Sequence, residues 1–252
     1  IRRTVDGEAA DVDALAFVAE HAEVLGIPDE LLPTYLEEVS STLAGSAWKF
    51  VHSTTTSREL VGADFQAIEA AMTEGHPAFV ANNGRIGFSL SDYEAYAPET
   101  GSRFALVWVA ARRGLTHLSL GEGLHEDSFY ADELDAATRR RFAARLRERD
   151  LDPSDYLMMP VHPWQWEHKI AITFAADIGR GDLVLLGHGD DEYQAQQSIR
   201  TYFNTSRRDR HYVKTALSIQ NMGFMRGLSP RYMRATPAIN DWVAGLVAAD
   251  DE

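Results

Sequence analysis

Cysteine is absent from this chain of 252 residues. Its absence excludes a disulfide framework, a thiolate metal site and a cysteine nucleophile. Long hydrophobic runs are missing too, and no stretch approaches the roughly 20 apolar residues that a membrane-spanning helix needs. Residues 1–4 contain no initiator methionine and do not resemble a signal peptide, so we expect a segment of a longer, cytoplasmic protein.

Several common ligand-binding and catalytic motifs are also missing. The sequence has no G-x-x-x-x-G-K-[ST] phosphate loop, no G-x-G-x-x-G, no G-x-S-x-G nucleophile elbow and no H-E-x-x-H. His162 and His168 are six residues apart and therefore off a common helical face, which disfavours a shared zinc ion.

Positive charge is scarce overall and unevenly distributed. The chain has 24 Lys and Arg against 38 Asp and Glu, a net charge of −14 at pH 7, so we expect no nucleic-acid or membrane partner. Between Arg200 and Arg234, however, eight basic residues accompany a single acid, Asp209. Two interpretations of this basic cluster stay open: the cations pair with surrounding acids, or they line a pocket for a phosphate or carboxylate ligand.

Apolar residues at helical spacing predict the helices of the chain. The helices predicted in the first part cover residues 12–25, 30–43 and 64–73. A long charged helix is predicted over residues 132–149. The last helix is predicted to be capped by Thr236, with Pro237 in its first position.

Runs of β-forming residues bounded by turns predict strands after Gly75. The predicted strands cover residues 78–81, 85–89, 104–111, 115–120, 156–161, 183–186, 199–204 and 212–219. We therefore predict an α+β fold, with a helical portion over residues 1–75 and a mixed α+β domain over residues 76–252.

Five stretches together resemble one family. They are Gly-His-Pro at 75–77 with Asn-Asn-Gly-Arg-Ile-Gly-Phe at 82–88, Pro-Val-His-Pro-Trp-Gln-Trp at 160–166, Gln-Ser-Ile-Arg-Thr at 197–201, Lys-Thr-Ala-Leu-Ser-Ile-Gln at 214–220 and Arg-Gly-Leu-Ser at 226–229. This set is similar to the motifs of the NRPS-independent siderophore synthetases, the aerobactin-synthetase-type IucA/IucC family. Residues 79–85 and 221–227 are similar to the desferrioxamine synthetase branch. The resemblance extends over essentially the whole chain.

The resemblance implies an activity and a set of site residues. Such synthetases adenylate a carboxylate with ATP, and an amine or hydroxylamine then displaces AMP. The implied contacts to ATP come from Ser198, Arg200, Lys214 and Arg226. Arg226 and His76 are implied to be catalytic, and His76 and Arg85 are implied to bind the substrate.

The chemistry of the residues agrees with these assignments. Adenylation brings a carboxylate against a triphosphate, and preorganised Arg and Lys donors offset the repulsion between the two anions. Ser198 and Arg200, at i and i+2 on a predicted strand, are expected on one face of it. Lys214, on a predicted neighbouring strand, is expected to reach the same face.

The resemblance also implies that part of the protein lies outside this chain. The family consists of a thumb, fingers and a palm, and this chain corresponds to the thumb and fingers. The Mg²⁺ ligands are expected in the palm, so we assign no metal ligand in this chain and expect the segment alone to be inactive. The expected partners are carboxylate and amine or hydroxylamine siderophore precursors, and a homodimer stays open. The alternative function is a non-catalytic module that binds a nucleotide or an anionic siderophore precursor through the basic cluster.

Overall fold

The computed structural model describes residues 2–53, 55–72, 75–248 and 250. The chain forms two compact units that are each assembled from two stretches of sequence. The first unit comprises Ile1–Ser89 and Ile219–Met225, and the second comprises Leu90–Ser218 and Arg226–Glu252. The boundary predicted at residues 75 and 76 lies inside the first unit. Helices and antiparallel sheets occur together, which confirms the predicted α+β class.

The first unit begins with a small hairpin followed by helices. Its elements are β1 (Arg3–Val5), β2 (Glu8–Ala10), α1 (Ala14–Glu20), α2 (Leu32–His52) and α3 (Phe65–Ala71). The carboxylates of Asp13 and Asp64 accept backbone N–H groups at the starts of α1 and α3, which fixes where these helices begin. The three predicted helices are confirmed with altered ends, and the predicted end at Thr73 lies outside the described residues.

The strands predicted at 78–81 and 85–89 are wrong. These residues form turns and bends, apart from one isolated bridge between Ile86 and Gln220. The backbone groups of this loop are bonded elsewhere: the Arg85 N–H donates to the Ser41 hydroxyl at 2.8 Å, and the Gly84 carbonyl accepts from the Asn221 amide at 2.7 Å. Side chains therefore take the place of a strand partner here.

A five-stranded antiparallel sheet organises the second unit. In chain order the unit contains α4 (Leu90–Tyr96), β3 (Phe104–Arg112), α5 (Glu126–Glu133), α6 (Ala136–Arg147), β4 (Tyr156–Val161), α7 (Pro163–Gln165), α8 (Ala171–Thr173), α9 (Ala175–Arg180), β5 (Leu183–Ala195), β6 (Thr201–Asn204) and β7 (Val213–Lys214). The strand order is β4-β3-β5-β6-β7. One side of the core packs around α6, through Trp108, Tyr130, Phe142, Leu146, Val184 and Leu186.

The predicted strands at 104–111 and 156–161 are confirmed as β3 and β4. The predicted strand at 115–120 is wrong, because both edges of β3 are already occupied: Val109 is paired with Met159 of β4 and with Leu185 of β5. The predicted strand at 183–186 is the start of the longer β5. The single helix predicted over 132–149 is two helices, because the Asp135 carboxylate accepts the first N–H groups of α6 and so starts a new helix.

A hairpin and a helix complete the chain. The hairpin is formed by β8 (Leu217–Asn221) and β9 (Phe224–Arg226), so the strand predicted over 212–219 is divided between β7 and β8. The final helix α10 (Pro230–Val247) begins at Pro230, seven residues before the predicted start at Pro237. Pro237 therefore lies inside the helix. Within the described part of the chain, no helix combines the length and apolar character needed to cross a bilayer.

Candidate functional site

Ser198 and Arg200 lie in the turn that leads from β5 into β6, and the expectation that they share a strand face is wrong. Between them Ile199 adopts a left-handed backbone conformation, with φ of +59°, and its side chain is 1% exposed. A β-branched residue rarely adopts this conformation. The Ile199 N–H donates to the carbonyl of Gln196 at 2.7 Å, which closes the turn. Ser198 is exposed and Arg200 is half-buried.

Lys214 lies on the strand next to this turn, as predicted. In the ladder between β6 and β7, Thr201 is paired with Lys214. The Arg200 carbonyl accepts from the Thr215 N–H at 3.0 Å, which extends the pairing by one residue on each strand. Lys214 is exposed, so its ammonium group is accessible to an anionic ligand.

Arg226 is connected to the same place through Arg200. The Arg200 guanidinium donates a hydrogen bond to the carbonyl of Gly227, the residue that follows Arg226 at the end of β9. Arg226 itself is half-buried. Arg200 therefore contacts the residue next to Arg226 with its side chain and the residue next to Lys214 with its backbone. The predicted ATP contacts all belong to the second unit.

The rest of the basic cluster is not uniform. The Arg207 guanidinium forms an ion pair with Asp191, with 2.9 Å between Nε and Oδ2, and it also donates to the Glu133 carbonyl. The hydrogen bond that Arg207 donates to the Asp191 carboxylate raises the pKa of Arg207. Arg207 therefore ties its turn to the sheet and to α5, so the pairing interpretation applies to it. For Arg200, Lys214 and Arg226 the anion-pocket interpretation stays a prediction.

A buried histidine lies behind β6. His162 is fully buried, and its Nδ1 accepts from the Trp164 N–H at 3.1 Å. Its ring packs against the rings of Tyr96, Phe104 and Tyr202, with 5.4 Å between the centroids of His162 and Tyr202. Burial lowers the pKa of His162 to about 3, so the ring is neutral at pH 7. Sequence spacing gave no indication of this packing role.

His76 and Arg85 belong to the first unit. His76 is exposed, and its Nδ1 accepts from the Ala78 N–H at 3.1 Å. Gly75 is required beside it, because a Cβ at this position would lie 2.3 Å from the Asn82 carbonyl oxygen. Arg85 is 4% exposed, and its guanidinium donates to the Gly84 carbonyl at 3.1 Å.

The chemistry of this donor set suits an anion with several oxygens. The set consists of Ser198, Arg200, Lys214 and Arg226. Their side chains supply many N–H and O–H donors, and none of the four carries a carboxylate. Donors of this kind bind phosphate oxygens. In the ranges that the structure describes, no group of three or more His, Asp or Glu side chains is placed to hold a metal ion.

Known proteins are similar to this chain over nearly its whole length. Putrebactin synthase from Shewanella sp. (strain MR-4) is 50% identical over 250 residues, which cover 99% of this chain and 40% of the relative. The petrobactin biosynthesis protein AsbB from Bacillus anthracis str. Sterne has a TM-score of 0.88 at 28% identity, covering 99% of this chain and 41% of that structure. Aerobactin synthetase IucC from a hypervirulent pathotype of Klebsiella pneumoniae has a TM-score of 0.81 at 30% identity, covering 97% and 44%.

These figures mean that the chain spans about two fifths of the length of the relatives it matches. The family model described as "IucA / IucC family" matches residues 64–252, well over half of the chain. The motifs at 75–85, 160–166, 197–201, 214–220 and 226–229 all lie within that match. The chain therefore belongs to the IucA/IucC family.

Proposed function

We propose that this chain is the thumb and fingers part of an ATP-dependent siderophore synthetase, and that its second unit binds the phosphates of ATP. One observation carries the proposal. Arg200 is bonded through its side chain to Gly227, next to Arg226, and through its carbonyl to Thr215, next to Lys214. Basic residues that are distant in sequence are thereby tied to one place, as the binding of a polyanion requires.

The roles of the residues follow from the charges that must be offset. Lys214, exposed on β7, balances charge on the phosphates as a mobile ammonium group. The Ser198 hydroxyl and the remaining N–H groups of Arg200 donate to phosphate oxygens. Arg226 contacts both the α-phosphate and the attacking carboxylate, where two parallel N–H donors stabilise the charge that develops in the transition state.

The reaction forms one bond and breaks one bond in each half. A carboxylate oxygen of the substrate attacks the α-phosphorus, and pyrophosphate leaves. An amine or hydroxylamine nitrogen then attacks the acyl carbon, loses a proton and displaces AMP, which gives an amide or hydroxamate. In the first unit, His76 accepts a hydrogen bond at Nδ1, so its neutral tautomer carries the proton on Nε2, and this N–H is the donor that we propose for substrate binding. Arg85 belongs to the same loop and is proposed to bind substrate with it.

The proposal extends to the class of substrate. We propose a hydroxamate-containing succinyl-diamine, joined end to end in a desferrioxamine-type assembly, by a cytoplasmic enzyme. The similarity to the Shewanella protein, which is called a putrebactin synthase, supports siderophore assembly as the general activity. The Mg²⁺ ligands are proposed to lie in the palm, beyond the portion of the relatives that this chain spans.

Substrate-dependent exchange of pyrophosphate into ATP tests the proposal. The intact protein should catalyse this exchange when a succinyl-diamine hydroxamate is added, because adenylation is reversible before the amine attacks. The 252-residue chain alone should show no exchange. Binding of ATP by the intact protein without any exchange would favour the non-catalytic module instead, and robust exchange by the chain alone would disprove the division of the site.

A further inference from the structure

Gln165 forms two hydrogen bonds to a single residue on a distant strand. It is the last residue of α7 and is 8% exposed. Its Oε1 accepts from the Ser218 backbone N–H at 2.7 Å, and its Nε2 donates to the Ser218 hydroxyl at 3.1 Å. We refer to this pair of bonds as the Gln165–Ser218 clasp. It lies entirely within the second unit.

The clasp holds one end of the segment that carries Lys214. Ser218 is the second residue of β8 and follows Lys214 by four positions. Nearer to Lys214, Thr215 is held by two bonds: its N–H donates to the Arg200 carbonyl at 3.0 Å, and its hydroxyl lies 3.2 Å from the Tyr202 hydroxyl. The backbone after Lys214 is therefore fixed from β6 at one end and from α7 at the other.

The turn that carries Gln165 also supports β6. His162, three residues earlier, packs its fully buried ring against the ring of Tyr202. The His162 carbonyl accepts from the Trp166 N–H at 3.0 Å, and the His162 Nδ1 caps the turn at Trp164, so the turn is internally bonded. One short turn thus contacts both β6, which follows Arg200, and β8, which follows Lys214.

We propose that Gln165 is a positioning residue that acts through Lys214. This inference rests on the proposed function, in which Lys214 contacts the phosphates of ATP. A preorganised donor stabilises charge because it does not have to reorganise when charge develops, and a misplacement of about 1 Å costs much of that effect. The Lys214 side chain is exposed and flexible, so it cannot fix its own position. The clasp fixes the backbone of the strand that follows Lys214. The Pro-Val-His-Pro-Trp-Gln-Trp motif thereby gains a role in nucleotide binding.

Variants of Gln165 in two backgrounds test the inference in the intact protein. Gln165→Met keeps the shape of the side chain and removes both hydrogen bonds, so we expect ATP affinity, measured by calorimetry, to fall about tenfold. Gln165→Glu can accept from both the N–H and the hydroxyl of Ser218, so affinity should stay within about threefold of the unchanged protein. Glu167→Gln, an exposed position two residues away, is the matched control and should leave affinity unchanged.

The second background is Lys214→Ala. If Gln165 acts through Lys214, adding Gln165→Met to Lys214→Ala should lower ATP affinity less than about twofold further, because coupled residues are not additive. An equal loss in both backgrounds would overturn the inference, since it would mean a general effect on the fold.

Amide hydrogen exchange at Ser218 separates the remaining outcomes. Faster exchange in Gln165→Met with unchanged ATP affinity would show that the clasp holds only the fold, which would also overturn the inference. If Lys214→Ala by itself left ATP affinity unchanged, the proposed nucleotide site would be misplaced and the inference would fail with it. No Gln165 variant can produce that last result, so the two failures are distinguishable.

Discussion

The carboxylate of Glu38 accepts a hydrogen bond from the backbone N–H of Gly223 at 2.7 Å. Glu38 lies on α2 and is 5% exposed, and Gly223 forms the turn between β8 and β9 with a φ of +74°. The Gln220 amide also reaches the same carboxylate oxygen, at 3.4 Å. A helix of the first unit thus holds the tip of the hairpin through a charged acceptor.

Glu38→Ala should therefore destabilise the protein by about 1.5–3 kcal/mol, because a charge-assisted bond is lost and the Gly223 N–H is left without its acceptor. Urea unfolding measures this change in the free energy of unfolding. Glu37→Ala, at the neighbouring exposed position, should stay within about 0.5 kcal/mol of the unchanged protein. Equal values for the two variants would show that the Glu38 bond contributes nothing.

Lys214→Ala should weaken ATP binding by the intact protein. A charged hydrogen bond to phosphate contributes about 1.5–3 kcal/mol, which corresponds to a loss of roughly tenfold to a hundredfold in affinity. Lys169→Ala, which removes another exposed lysine of the second unit, is the control and should have little effect. Unchanged ATP affinity in a folded Lys214→Ala protein would mean that Lys214 is an ordinary surface charge.

Arg226→Lys should affect the rate of adenylation more than ATP affinity. The change keeps the charge but removes the paired donors, so the single-turnover rate should fall by roughly 10²-fold, the effect of losing one preorganised donor. Arg208→Lys, in the exposed turn after β6, should be nearly silent. Small and equal losses at both positions would indicate a diffuse electrostatic patch and would favour the non-catalytic module.

The stability of the fold should depend on pH through His162. Its pKa is lowered to about 3 in the folded protein, against roughly 6.5 in an unfolded chain. The unfolded state therefore binds the proton first, and stability that is fully present above pH 6.5 should fall by about 1.4 kcal/mol for each pH unit between 6.5 and 3. Urea unfolding at pH 7, 6 and 5 measures this slope.

His162→Asn provides the matched variant for that measurement. Asparagine can still cap the Trp164 N–H but does not titrate, so the protein should be less stable at pH 7 and show a flatter slope towards pH 5. A slope that persists in His162→Asn would assign the pH dependence to other groups.

The sequence predicted best where burial alone decides the local structure. The apolar run over residues 104–111 predicts a strand, and the structure agrees because β3 lies inside the sheet, between β4 and β5. It predicted poorly where a side chain replaces a backbone partner. Nothing local in the sequence indicates that Ile199 adopts a positive φ, because β-branched residues rarely adopt that conformation.

The start of α10 shows a second reason why a prediction from the sequence was wrong. Ser229-Pro230 and Thr236-Pro237 both match the pattern of a helix cap followed by proline, and local propensity does not rank them. In the structure the helix begins at Pro230, and Thr236 bonds its hydroxyl to the Tyr232 carbonyl at 2.6 Å. The types of residue in the candidate site were predictable from the sequence. The contact of Arg200 with Gly227 was not, because it depends on a turn and a hairpin that the sequence pattern did not define.

The first unit is discontinuous in sequence, and this has a consequence for synthesis on the ribosome. Its residues up to Ser89 emerge about 130 residues before Ile219, the first residue of the hairpin segment that completes it. At a translation rate of roughly 5–20 residues per second, Gly223 is synthesised on the order of ten seconds after Glu38. During that interval the carboxylate of Glu38 and the loop at Gly84 lack their hairpin contacts, so the last step in folding the N-terminal unit awaits translation of the C-terminal part of this chain.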